Sequence, residues 1–73
     1  MNEQELKDTL ARENREFREI LKEHRSCEVE LDRIRRKAHP TEADNVTERE
    51  IKKRKLVLKD RMYRIMADYE GRR

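Results

Sequence analysis

Glycine and proline occur once each in this chain of 73 residues, cysteine once, and tryptophan not at all. Aromatic side chains are limited to Phe17, Tyr63 and Tyr69. Sandwiches, barrels and α/β domains need turns and β-branched or aromatic strands, so this composition excludes them. No apolar run exceeds the triplet Leu56-Val57-Leu58. A bilayer span needs roughly 20 apolar residues, so no membrane partner is expected. The stretch Met1 to Asp8 has neither a basic nor an apolar leader segment. No secretory signal is read there, and the cytoplasm is the expected location. Cys27 alone cannot make an intrachain disulfide or a four-cysteine zinc site.

What is present is charge: 51% of residues are Asp, Glu, Lys or Arg, against 33% hydrophobic. The net +3 is uneven. Residues 1–38 hold ten cations and ten anions, whereas 39–73 hold ten and seven. The densest basic window, Arg49 to Lys55, has five cations and one anion. Such a cluster can attract phosphates, although on a helix this charged it is usually a solvated face.

Positions 10, 13, 17, 20, 24, 27, 31, 34 and 38 advance in threes and fours, and seven of these nine are apolar. This is the stripe of an amphipathic helix. Pro40 stops it near Ala38 or His39. The polar stretch 40–46 reads as a loop, and Thr47-Glu48-Arg49-Glu50 has the form of a capping box, which starts a second helix over about 47–70. Its stripe runs through Ile51, Lys55, Leu58, Met62, Ile65 and Tyr69, and Gly71 supplies the stop. The short loop makes the helices antiparallel neighbours. A turn centred near residue 43 makes facing numbers add to 85 or 86, pairing Ile34 with Ile51, Cys27 with Leu58 and Phe17 with Tyr69.

Leu6 and Leu10 overhang this scheme. Two readings stay open: one helix from about 3 to 38, or an extension over 3–12 joined to a main helix (14–38) near Asn14. The lack of proline and glycine favours continuity slightly. The fold expected is all-α: a single domain over 1–73, built as an antiparallel two-helix hairpin with coiled-coil-like packing and, in the second reading, a short extra N-terminal helix.

The run Lys52-Lys53-Arg54-Lys55-Leu56-Val57-Leu58-Lys59-Asp60, followed by Met62, Ile65 and Met66, resembles the signature of the YdcH-like family of short bacterial helical hairpins of unknown function. Phe17, Ile20, His24 and Leu31 match that family's first-helix positions, and Leu6 and Leu10 its apolar N-terminal pair. The chain has Cys27-Glu28 where the family usually shows Leu-Asp, and Arg15 where several relatives have proline. The resemblance implies a hairpin fold and a cytoplasmic setting, and no reaction.

His24 and Cys27 share a helical face and could reach one metal ion, and two copies would supply a two-histidine, two-cysteine set. Both lie in the core stripe, where cysteine behaves as a small hydrophobe, so no metal or other cofactor is expected. His24, Lys55 and Asp60 are read instead as a structural polar cluster, with Asp60 the candidate acid beside His24. A hairpin this small has no interior for a catalytic pocket, so no enzyme is expected. The expected function is a non-enzymatic interaction or assembly module. Its candidate partner surface is Leu6, Leu10, Leu56, Tyr63 and Ala67, and a homo-oligomer, with the dimer favoured, is the expected state. The alternative is a nucleic-acid-associated protein using a basic patch of Arg49, Lys52, Lys53 and Lys59.

Overall fold

The computed structural model describes residues 1–72. It contains α1 (Glu3–Glu13), α2 (Arg15–Arg35) and α3 (Glu42–Gly71), and no strand among the described residues. α2 and α3 form the hairpin, and α1 packs against both.

Of the two readings of the first helical stretch, the one with a separate N-terminal helix joined at Asn14 holds, and the continuous helix does not. Asn14 is extended (φ −119°, ψ 112°) and closes α1 while opening α2. Its side-chain oxygen accepts from the amide of Phe17 at 2.9 Å, and its own amide donates to the carbonyl of Leu10 at 2.8 Å. The Arg18 guanidinium donates to the carbonyls of Ala11 (2.8 Å) and Arg12 (3.0 Å), which α1 leaves unsatisfied at its end. One asparagine thus serves as both caps, and no proline or glycine is needed. The break folds Leu6 and Leu10 onto the core, where they are 3% and 1% exposed. Burying two leucines stabilises by about 1.5–3 kcal/mol each, more than the helical hydrogen bonds lost at one residue.

The turn also lies earlier than expected. α2 ends at Arg35, so Ala38 lies outside the helix and is exposed. α3 begins at Glu42, capped by Thr41 and not by Thr47. The Thr41 hydroxyl accepts from the Asp44 amide at 3.1 Å, and the Asp44 carboxylate accepts from the Thr41 amide at 2.8 Å. Asp44 also accepts from the Lys37 ammonium at 2.8 Å. That contact, with the Thr41 amide, holds its carboxyl down to about 2. The earlier box wins because it adds 42–46 to the helix and because Pro40, which cannot continue α2, sits one residue before the cap.

The earlier turn slides the register. Ion pairs across the hairpin join Glu23 to Arg54 (2.6 Å) and Glu28 to Lys55 (3.6 Å), and Lys37 of the turn to Asp44 (2.8 Å), so the paired numbers add to 77, 83 and 81. Ile34 lines a groove with Asp44 and Thr47, and Leu58 lines one with Ile20. The stripes themselves hold. Phe17, Ile20, Cys27, Leu31 and Ile34 of α2 are buried, as are Ile51, Leu58, Met62 and Met66 of α3, with Ile65 and Tyr69 packed at the edge.

Candidate interaction surface

α3 has 30 residues and commits one side of its length to the core. On the side turned away, Leu56 is 60%, Val57 54% and Tyr63 42% exposed. Leu56, Tyr63 and Ala67 follow one another at steps of seven and four and therefore lie in one row. Ala67 is exposed and lines a shallow groove with Tyr63, Glu3 and Leu6. Of the residues expected to form a partner surface, Leu56, Tyr63 and Ala67 are exposed. Leu6 and Leu10 do not belong to it, because the break at Asn14 turned them inward.

The cations of the basic patch border the same row. Arg49, Lys52, Lys53 and Lys59 are all exposed. Lys52 is paired with Glu48 at 3.0 Å, and the Lys59 ammonium lies 5.9 Å from the Tyr63 ring centroid, as does that of Lys7. The Tyr63 hydroxyl donates to the Glu3 carboxylate at 2.9 Å. That hydrogen bond lowers the Glu3 pKa, with help from Lys7 at 3.2 Å, and raises that of Tyr63, which Lys7 opposes. Tyr63 thereby ties α1 to α3 with its hydroxyl while its ring stays part of the surface.

The polar cluster takes a different form from the one expected. His24 Nδ1 lies 3.4 Å from Glu28 Oε1, and Lys55 Nζ lies 3.6 Å from the same oxygen. Asp60 is exposed, so the acid beside His24 is Glu28, one turn along its own helix. Burial depresses the His24 pKa, Glu28 opposes this, and Lys55, Lys7 and Lys59 reinforce it. The imidazole is therefore neutral at pH 7. Because its folded pKa lies below the unfolded value of 6.5, the unfolded chain takes up the proton first. The stability contributed by the neutral ring is complete above pH 6.5 and is lost as the pH falls toward the folded pKa. The thermal midpoint should drop between about pH 7 and pH 5, and His24→Gln should flatten that slope. Parallel profiles for variant and wild type would remove His24 as the cause.

Cys27 is buried, and no group of three or more His, Cys, Asp or Glu side chains among the described residues converges on a metal position. Among the described residues, no helix is long and apolar enough to cross a membrane. The clefts beside the hairpin are open grooves with charged rims, such as the one between Glu23, Arg54 and Arg61.

A family profile described as protein of unknown function (DUF465) matches residues 17–66, which run from the first core residue of α2 to the last buried methionine of α3. The chain belongs to this family, the YdcH-like family. No curated protein and no solved structure matches it. The YdcH-like region takes in α2, the turn and most of α3, including Leu56, Lys59 and Tyr63. α1, with Leu6 and Leu10, lies outside the matched residues, as do Ala67 and Glu70.

Proposed function

We propose that this YdcH-like chain is a non-enzymatic interaction module that presents the outer side of α3 to a protein partner in the cytoplasm. The observation that carries this reading is the row Leu56, Tyr63, Ala67. The core does not use it, and exposed charges border it. An apolar row rimmed by charge matches the anatomy of a helix-docking surface. A nucleic-acid role for Arg49, Lys52, Lys53 and Lys59 draws less support. Lys52 is already neutralised by Glu48, and nearby Arg54 and Lys55 by Glu23 and Glu28. The row also offers a single ring for base stacking.

A photo-cross-linking amino acid in place of Leu56 or Tyr63, irradiated in the native cell, tests this. Protein adducts are expected at both positions and not at Val29, which is 58% exposed on α2. Adducts to nucleic acid, or equal yields at position 29, would overturn the reading.

A further inference from the structure

Four of the six large apolar side chains exposed among the described residues lie on the outer side of α3: Val46, Leu56, Val57 and Tyr63. They stand in two rows. Lys52, Leu56, Lys59 and Tyr63 follow one another at steps of four, three and four, and Val46, Lys53, Val57 and Arg64 at steps of seven, four and seven. Each row alternates apolar and cationic side chains, and Arg49 and Asp60 lie between the two.

The charge on this side is mostly of one sign. Arg49, Lys53, Lys59 and Arg64 are exposed and make no ion pair among the described residues. Lys52 is held by Glu48. Lys53 and Val57 also form the rim of the adjoining groove, whose own charges balance, Glu23 and Glu50 against Arg54 and Arg61. Five cations therefore stand against two acids, Glu48 and Asp60, and the surplus equals the net +3 of the whole chain.

Such a surface selects its occupant. A second copy is disfavoured, because the outer side of its α2 around Val29 is also basic. Lys22, Arg25 and Arg33 lie there at steps of seven and four from Val29, and Asp32 is already taken by Arg36 at 2.9 Å. A nucleic-acid backbone would answer the cations and leave Leu56 and Val57 in water. A helix with an apolar stripe flanked by carboxylates answers both.

We infer that the occupant of this surface is an acidic amphipathic helix of a different protein, laid along α3 from Val46 to Arg64. This rests on the interaction reading above and names the chemistry of its partner. The 19-residue span is about 28 Å of helix, one helix wide, which is narrower than standard interfaces. The complex should accordingly dissociate in the micromolar range, about 1–100 µM.

Fluorescence anisotropy with two synthetic helical peptides of about 18 residues decides it. Both carry a leucine stripe, flanked by glutamate in one and by lysine in the other. The full chain should bind the glutamate peptide in the stated range and the lysine peptide at least about 30-fold more weakly. Lys53→Glu/Lys59→Glu, one cation from each row, should reverse that preference, and Leu56→Ser should weaken the glutamate peptide about tenfold. Helicity by circular dichroism should be unchanged in both variants, because all three positions are exposed. Equal affinity for the two peptides, no binding up to about 500 µM, or indifference to Leu56→Ser would overturn the inference. So would tighter binding of a single-stranded oligonucleotide, or self-association of the chain that Leu56→Ser abolishes. Cross-links from position 56 in the cell that fall on protein segments with no acidic surplus would also overturn it, while leaving the broader interaction reading intact.

Discussion

Phe17→Ala should cost about 3–5 kcal/mol, the usual range for a fully buried aromatic cut back to alanine. Phe17 is 0% exposed, the most enclosed side chain of the fold. It belongs to the shared core three residues after the Asn14 joint, and its amide is the one that Asn14 caps. Truncation leaves a cavity in that core, and partial collapse around it recovers only part of the loss. A chain of 73 residues is stable by only about 4–11 kcal/mol at 0.05–0.15 kcal/mol per residue. The loss is about a quarter or more of that stability, so the unfolding midpoint should fall well below that of wild type. Urea titration followed by helical ellipticity would measure it, and a midpoint unchanged from wild type would contradict the burial.

The double change Leu6→Glu/Leu10→Glu should have an effect of similar or greater size. Two leucines at 3% and 1% exposure are replaced by groups that must either leave the core or lose their charge inside it. Losing the leucine contacts alone costs about 2–5 kcal/mol per site when they are fully buried. α1 should come away from the hairpin, and the remaining helices should be left close to unfolding. Leu56→Glu is the matching control, because a surface exchange away from such contacts changes stability by about 0.5 kcal/mol or less. The contrast separates leucines that hold the fold from a leucine offered to a partner. Equal denaturation midpoints for the two variants would show that α1 does not dock.

The contrast also marks where the sequence is readable. The α2 stripe can be read directly because burial follows the helical repeat, and Phe17, Ile20, Cys27, Leu31 and Ile34 all fall where the threes and fours put them. Asn14 cannot be read so easily. Asparagine is tolerated within a helix and favoured at its start, and only the energy of folding Leu6 and Leu10 inward decides between the two. The pair was visible as apolar, but its destination depended on that joint. The Thr41 cap was legible in principle. Thr41-Glu42-Ala43-Asp44 has the box spacing, with aspartate in the place usually given to glutamate, whereas Thr47-Glu48-Arg49-Glu50 fits the usual form better. Misplacing the cap moved the turn centre and hence the register, while the faces of both helices stayed right, since a shift of a full turn keeps a stripe on its own side. At the surface, Leu56, Tyr63 and Ala67 were legible as residues left over once the core stripe was assigned. Glu28 as the neighbour of His24 was not singled out, although its spacing of four on the same helix carried the signal.

The helices differ in length, and that difference gives α1 its purpose. At about 1.5 Å per residue, the 21 residues of α2 reach about 32 Å and the 30 of α3 about 45 Å. Roughly 13 Å of the longer rod therefore extends past the shorter one. The 11 residues of α1 make about 16 Å, and Leu6 meets Met66, Ala67 and Glu70 on the overhanging part. The joint at Asn14 acts as a length-matching device, a splint bound across the bare end of a rod. It follows that the first 13 residues and the last turns of α3 are one unit in design terms. A chain that shortened either would strip the other of its cover, so the two ends are free to lengthen or shrink only together.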